Sequence, residues 1–200
     1  MKVFKNLLPV QQQDYLENIV NHDGFPWFFY GNVIYDRDEK FEKHKNITET
    51  YAWIHTLYFQ PKGANSEFFD RFKIILDAFA EKQKVKITEM LRVRIRRTFY
   101  CKGHTLKKYN YPHVDLADLE KYKSLVYYLH DSDGDTIMFK EKHNKDYPNF
   151  YDKTKLTIAK KNTPKKGSAL YFDGDTYHAG NSPVEHTYRT VVNFDFRINE

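Results

Sequence analysis

Two segments with alternating side chains constrain the fold more than any other feature of this chain. Side chains in a strand point to opposite faces with a period of two, so each segment predicts a strand with one polar and one apolar face. Such strands suit the wall of a barrel that encloses a ligand. In residues 91–100 one face carries Arg92, Arg94, Arg96, Thr98 and Tyr100, and in residues 189–197 Val192, Phe194 and Phe196 oppose Arg189, Val191, Asn193, Asp195 and Arg197.

Between these segments lie two histidines and an aspartate with the spacing of metal ligands. His113 and Asp115 are two residues apart, so they share a face if this part is extended, and His178 follows 65 residues after His113. Two imidazoles and one carboxylate occupy one face of an octahedral iron(II) and leave three positions for a co-substrate and dioxygen. Arg189 lies eleven residues beyond His178, and its planar guanidinium suits a carboxylate.

With these residues, about half of the chain resembles the catalytic core of the iron(II)- and 2-oxoglutarate-dependent oxygenases. The resemblance is to the prolyl-4-hydroxylase-like branch, and particularly to small members encoded by bacteriophages. It extends from Leu91 to Phe196. The features that carry it are the His113/Asp115 pair, a strand over 125–129, a Gly134-Asp135-Thr136 turn before 137–139, a turn over 164–167, His178 and Arg189.

The resemblance implies a mainly β fold with N-terminal helices and a double-stranded β-helix core, a cupin-like jelly-roll with iron between two sheets. It implies His113, Asp115 and His178 as the iron ligands and Arg189 as the partner of the distal carboxylate of 2-oxoglutarate. Tyr128 and Thr98 are implied as further co-substrate-binding residues. For Tyr128 a second interpretation stays open, that of a core tyrosine whose hydroxyl is satisfied within the protein.

The implied activity is that of a dioxygenase, most simply a hydroxylase. It would hydroxylate a C–H bond of a peptidyl residue, prolyl in the branch it resembles, or of an amino acid, with release of succinate and CO2. The implied cofactors are iron(II), 2-oxoglutarate as co-substrate and dioxygen, with ascorbate as an optional addition. The expected partner is a peptide, a protein or a small molecule.

Two alternatives remain at this point. One is a nucleic-acid-modifying oxygenase on the same scaffold. The related demethylases carry a second arginine six residues after the co-substrate arginine, where this chain has Asp195, and the next arginine is Arg197 at eight. The other alternative is a non-catalytic, metal-binding jelly-roll that serves as an interaction module, for which Arg189 would be unnecessary.

Composition predicts one domain in a reducing compartment. A chain of 200 residues with 40% hydrophobic and 17% aromatic residues can bury one good core, so we expect a single domain over 1–200. We expect residues 1–90 to support a β-helix core over 91–200. Cys101 is the single cysteine, and no apolar N-terminal segment resembles a signal peptide or a membrane span, which predicts a cytoplasmic protein, in the host cytoplasm if phage-encoded.

The N-terminal region predicts two helices. One begins near Pro9 and ends before Gly24, and the other has Ser66 as its N-cap. The second carries an apolar stripe expected to pack against the sheet. The roles of the aromatic segment 25–30 and of the insertion at 142–155 do not follow from the sequence, although long loops at a barrel mouth often act as lids. The stripe consists of Phe68, Phe69, Phe72, Ile75, Leu76 and Phe79.

The net charge of +5 raises the question of an anionic partner. Arg92, Arg94 and Arg96 share the strand face that leads to the metal-ligand segment. Ion pairs on that face are the favoured interpretation, and contacts to an acidic substrate or to phosphates are the alternative. The other basic residues are dispersed among 27 acidic ones, so we expect no tight binding of nucleic acid.

Overall fold

The computed structural model describes residues 1–31, 46–144, 152 and 154–199. Its helices in this part of the chain are α1 (Val10–Asn21) and α2 (Phe69–Gln83). Its strands are β1 (Lys2–Phe4), β2 (Phe28–Tyr30), β3 (Ala52–Phe59), β4 (Gly63–Ala64), β5 (Ile87–Phe99), β6 (Lys123–Tyr128), β7 (Thr136–Lys142), β8 (Ile158–Asn162), β9 (Ala169–Asp173), β10 (Thr176–Gly180) and β11 (Tyr188–Ile198).

The strands form two antiparallel sheets. The large sheet has the order β1-β9-β6-β11-β5-β3-β2, with β4 added beside β3, and the small sheet has the order β10-β7-β8. Strands β5 and β11, which contain the two alternating segments, are neighbours at the centre of the large sheet. The mainly β jelly-roll with N-terminal helices that the sequence predicts is therefore confirmed.

The outer face of the large sheet packs against the two helices. Apolar side chains of β5, β6 and β11 on this face, such as Ile95, Leu125 and Phe194, form one buried cluster with those of the helices. Burial of this face is what holds the helices on the sheet, because apolar area removed from water is the main stabilising term. The helical members that are fully or almost fully buried are Leu16, Val20, Phe72, Ile75, Leu76 and Phe79.

The inner face of the large sheet looks toward the small sheet. Val126, Leu170 and Val191 from the large sheet pack with Met138 of the small sheet, and this contact joins the two layers. Polar side chains of β5 and β11 occupy the neighbouring inner positions, so the alternation in the sequence separates a helix-covered apolar back from a polar front. A cleft between the sheets results.

The N-terminal region departs from its prediction in detail. Helix α2 begins at Phe69, three residues after the expected cap Ser66. The Ser66 hydroxyl instead accepts a hydrogen bond from the Phe68 amide at 3.2 Å and bonds Nε2 of His55 at 2.7 Å. Strands β1, β2 and β3 also join the large sheet, which the sequence did not indicate because these strands are short or strongly aromatic. Most of the predicted insertion at 142–155 lies outside the described residues.

Within the described residues, no helix has the length and apolar character that a membrane span requires.

The helix–sheet contact gives a test of the fold. Phe79 is fully buried and touches the rings of Phe4, Tyr171 and Phe196, at centroid distances of 5.4, 4.8 and 5.6 Å. Phe79→Ala should lower the free energy of unfolding by about 3–5 kcal/mol because it leaves a cavity in the core. Phe29→Ala, at a position 66% exposed, is the control and should change it little. Equal decreases in the free energy of unfolding of the two variants, measured by urea titration, would contradict this packing.

Candidate metal centre

A pair of backbone hydrogen bonds brings the two predicted histidine ligands together. The amide of His113 donates to the carbonyl of His178 at 2.9 Å, and the amide of His178 donates to the carbonyl of His113 at 2.9 Å. The residues form an antiparallel bridge, with ring centroids 4.5 Å apart. The segment that contains His113 is thereby attached to β10, beside the small sheet. Two residues far apart in sequence present their imidazoles to the same point.

Each imidazole has its second nitrogen occupied in a way that leaves Nε2 for a metal. Nδ1 of His113 lies 3.0 Å from the carbonyl oxygen of Tyr111, and Nδ1 of His178 lies 3.2 Å from that of Thr176. A carbonyl oxygen only accepts, so Nδ1 of each ring carries the proton. In the neutral ring Nε2 then has a free lone pair, which is the state a metal ligand needs.

Asp115 completes the group and is held from behind by Arg92. Arg92 Nη2 lies 2.5 Å from Asp115 Oδ1 and 2.8 Å from Oδ2 of the buried Asp195. Asp195 is in turn held by the hydroxyl of Ser124 at 2.8 Å. Arg92 therefore bridges two carboxylates and fixes the orientation of Asp115. This is the kind of outer-shell contact that orients carboxylate ligands in metal sites.

The remaining oxygen of Asp115 points to where an ion would bind. Asp115 Oδ2 is buried without a hydrogen-bond partner and lies 3.3 Å from Nε2 of His178. One ligand atom from each of His113, Asp115 and His178 can be chosen so that all lie within 4.8 Å of one another. Lone pairs that converge without a proton between them repel one another unless a cation lies among them. The donor set therefore fits a divalent metal with one carboxylate and two imidazole ligands.

The protonation states also suit a cation. Burial, with His178 close by, lowers the pKa of His113 to about 3, so its ring is neutral at neutral pH. Burial opposes ionisation of Asp115, but the adjacent Arg92 guanidinium outweighs it and holds the pKa of Asp115 well below its usual value. Burial together with the charge of Asp115 raises the pKa of Asp195 to about 6. Asp115, the carboxylate that faces the metal position, therefore stays charged at a lower pH than Asp195 does.

The same cleft holds the predicted co-substrate arginine. It has an empty volume of about 490 Å³, open solvent at its mouth included, and its walls include the three metal-binding candidates and Arg189. Arg189 is 4% exposed and donates from Nη2 to Thr136 Oγ1 at 2.6 Å. Within the described part of the chain it has no carboxylate partner and its Nε has no hydrogen bond. A buried guanidinium in this state fits an anionic ligand that is added to the cleft.

Gly134 makes room for that arginine. A Cβ atom at this position would lie 2.9 Å from Cδ of Arg189 and 2.6 Å from the carbonyl oxygen of Asn181. No side chain fits there without displacing one of them. The Gly-Asp-Thr turn before β7 therefore has a physical role. The absence of a side chain at Gly134 leaves space for Arg189, and Thr136 accepts a hydrogen bond from it.

Tyr128 and Thr98 both lie near Arg189 but differ in their contacts. The guanidinium of Arg189 is 5.8 Å from the centre of the Tyr128 ring. The Tyr128 hydroxyl bonds Thr136 Oγ1 at 2.8 Å and accepts from Asn162 Nδ2 at 3.0 Å, so its partners are protein groups. Thr98 pairs with Arg189 across β5 and β11, and its buried hydroxyl has no partner among the described residues.

The structure adds site residues that sequence reasoning did not assign. Thr136 links Arg189 to Tyr128, and Asn193 lines the cleft opposite Arg94. The position of Thr136 directly after a Gly-Asp turn was the available signal, but nothing in the sequence paired it with Arg189. Ion pairing was the favoured interpretation of the arginine face of β5. It holds for Arg92, whereas Arg94 and Arg96 have no ion pair within the described residues.

The comparisons with known proteins agree with this fold. No known family model matches the chain, and no curated protein is detectably similar in sequence. Among solved structures, the chain resembles an oxidoreductase of the 2-oxoglutarate–iron(II) oxygenase family from Burkholderia pseudomallei, with a TM-score of 0.63 and 11% identity over 96% of this chain and 82% of the other. It also resembles HygX from Streptomyces hygroscopicus with nickel and 2-oxoglutarate bound, with a TM-score of 0.60 and 11% identity over 98% and 81%.

A third similar structure is a prolyl-4-hydroxylase from Pseudomonas putida, with a TM-score of 0.55 and 16% identity over 98% of this chain and 91% of the other. The fold is therefore that of the iron(II)- and 2-oxoglutarate-dependent oxygenases, as the resemblance in the sequence predicts. The structures that share it include a member of the prolyl-4-hydroxylase branch.

Removal of one of the three candidate ligands should weaken metal binding strongly without unfolding the protein. His113→Ala, Asp115→Ala and His178→Ala should each weaken binding of Mn²⁺ by more than the roughly 10–100-fold expected for an outer-shell change. Calorimetric titration measures the affinity, and circular dichroism checks the fold. His22→Ala, at an exposed histidine of the C-terminal end of α1, is the matched control. Unchanged Mn²⁺ affinity in all three variants would show that the metal binds elsewhere.

The bridge made by Arg92 gives a separate prediction. Arg92→Met leaves Asp115 and Asp195 buried without their shared cation, so it should lower the free energy of unfolding by about 3–5 kcal/mol. Mn²⁺ affinity should fall about 10–100-fold because Asp115 loses its orientation. Saturating Mn²⁺ should restore part of the stability, since the ion replaces positive charge beside Asp115. Wild-type stability and affinity in this variant would show that the bridge is unimportant.

Proposed function

We propose that this protein is an iron(II)- and 2-oxoglutarate-dependent dioxygenase that hydroxylates a C–H bond of a peptidyl residue, such as proline, or of an amino acid. One observation carries the proposal. A group of two histidines and an aspartate that fits a divalent metal shares one cleft with Arg189, a buried arginine that has no carboxylate partner within the described residues. A chelating co-substrate with a second, distal carboxylate would use both features.

In this proposal His113, Asp115 and His178 hold the iron, and Arg189 binds the distal carboxylate of 2-oxoglutarate. Thr136 fixes the guanidinium through its 2.6 Å hydrogen bond. Tyr128 positions Thr136, and the free hydroxyl of Thr98 can donate to the co-substrate. Because Arg189 is desolvated, its attraction for a carboxylate is stronger than it would be in water.

When bound, iron(II) and 2-oxoglutarate would supply the oxidising chemistry: 2-oxoglutarate would lose CO2 and take one oxygen atom of dioxygen to become succinate, and the other oxygen atom would be inserted into the C–H bond of the substrate. The residues of the chain bind and orient the metal and the co-substrate, and they exclude water from the cleft. Val126 and Val191 provide apolar walls beside the metal-binding group. A drier cleft strengthens the contacts of Arg189 and restricts side reactions.

Two observations favour this function over its alternatives. Arg197, the candidate for the second arginine of the demethylases, is bonded to Glu89 at a partly exposed position outside the cleft wall. A metal-binding module without catalysis would not need Arg189, because burial of an unpaired arginine costs stability. Replacing such a residue by an apolar one would stabilise a protein that had no anionic ligand.

Binding of the co-substrate tests the proposal. Anaerobic titration of the iron(II) protein with 2-oxoglutarate should produce a visible charge-transfer band. Arg189→Ala should raise the concentration of 2-oxoglutarate needed for that band by at least about 30-fold, because losing one partner of a desolvated charge pair costs about 2–5 kcal/mol. Iron affinity should change much less, since Arg189 is not a ligand.

Arg71→Ala is the matched control because Arg71 is an exposed arginine of α2. It should behave as the wild type in both titrations. Absence of the band in the wild type would reject the proposed function. A band that forms equally well in Arg189→Ala would reject the assignment of Arg189.

A further inference from the structure

Arg94 and Arg96 bring two positive charges into the cleft, and the proposed chemistry uses neither of them. Both side chains are half-buried, and both line the cleft with the metal-binding group and Arg189. In the part of the chain that the structure describes, neither has a salt bridge, and Nε of Arg94 is buried without a hydrogen bond. Their neighbour Arg92 differs, because two carboxylates neutralise it.

A count of formal charges shows how much positive charge remains uncompensated in the cleft. Among the described residues the cleft wall carries four arginines, and the two positive charges of iron(II) would cancel the two negative charges of 2-oxoglutarate. Asp115 and Asp195, which are bonded to Arg92, account for two of the four arginine charges. Two positive charges of these described residues would therefore remain after metal and co-substrate have bound.

This excess positive charge destabilises the folded protein. Burial lowers the pKa of Arg96 to about 10, with the neighbouring arginines adding to the effect and Asp115 partly opposing it, and burial likewise lowers the pKa of Arg94. Each lowered pKa means that the charged form is less stable here than in water. Three arginines at alternate positions of one strand face also repel one another. A structural role would be served better by uncharged side chains of similar length.

Asn193 adds a second kind of polar group at the same place. It lies opposite Arg94 in the pairing of β5 with β11, and it lines the cleft. Its Oδ1 atom is buried without a partner within the described residues, and because an amide oxygen only accepts, Nδ2 is the part of Asn193 that can donate to an anion. The group of Arg94, Arg96 and Asn193 therefore offers guanidinium donors beside an amide donor, and neither arginine has an ion pair within the described residues.

We propose that Arg94 and Arg96, with Asn193, bind an anionic group of the primary substrate, a carboxylate or a phosphate. This inference rests on the proposed function, because it assigns the substrate class of the same cleft. Guanidinium groups bind both anions through paired hydrogen bonds. An anchor of this kind beside the metal-binding group would fix which carbon of the substrate faces the metal.

Anion binding to the loaded protein tests the inference. The protein is saturated with Mn²⁺ and 2-oxoglutarate, so that the Arg189 site is filled, and is then titrated with inorganic phosphate or with acetate, against chloride at equal ionic strength. The thermal midpoint reports binding, because a ligand that prefers the folded state raises it. Phosphate or acetate should raise the thermal midpoint of the wild type more than chloride does. The anion with the larger effect indicates whether the substrate group is a phosphate or a carboxylate.

Arg94→Gln and Arg96→Gln should weaken the apparent anion affinity by at least about tenfold. Arg96→Lys keeps the charge and should retain most of the binding, while Arg71→Gln on α2 should behave as the wild type. Both glutamine variants should also be at least as stable as the wild type without ligands, because each removes an unpaired charge. A residue that only supports the fold would show the opposite change in stability.

Three results would overturn the inference. They are the absence of an anion effect in the wild type, an unchanged effect in both glutamine variants, and loss of 2-oxoglutarate affinity in those variants to the extent seen in Arg189→Ala. The last result would place the two arginines in the co-substrate site. Failure of Mn²⁺ and 2-oxoglutarate to bind the wild type is a separate observation and counts against the proposed function itself.

Discussion

The backbone pair between His113 and His178 is the interaction on which the rest of the candidate site depends. Two hydrogen bonds of 2.9 Å fix the separation of the imidazoles before any metal is considered. They also attach the segment after β5 to the edge of the small sheet, and the position of Asp115 follows from that attachment. Without them the two rings would belong to parts of the chain that need not meet.

The second constraint is the distribution of charge on the inner face of the large sheet. Arg92 is bonded to Asp115 and Asp195, and it is the one arginine of that face whose charge the described residues compensate directly. Arg189 is held by Thr136, a neutral group, so it keeps its capacity for a carboxylate. The same strand, β5, thus supports the metal position at one residue and offers unpaired cations at the next two inner positions, Arg94 and Arg96.

Burial of the apolar face of the large sheet offsets the loss of stability that the unpaired polar groups of the cleft cause. The outer face of the large sheet buries a continuous cluster against α1 and α2, with Phe79 and Phe194 fully enclosed. Burial of this kind supplies most of the stability of a domain of this size. A cleft with several unpaired charged and polar atoms can persist on the opposite face because its cost is small beside that gain.

The periodicity of β5 and β11, the apolar stripe of α2, and the chemical types that could form a metal group are readable from the amino-acid sequence alone. Those follow from local spacing, because side-chain direction in a strand or helix is set by the residue number. The folded chain was needed to show that β1, β2 and β3 join the same sheet, and that the Tyr128 hydroxyl bonds Thr136 and Asn162. It was also needed to show that Arg92 is paired while Arg94 and Arg96 have no ion pair among the described residues. Partner choice depends on distances between residues far apart in the chain, and no local pattern encodes those distances.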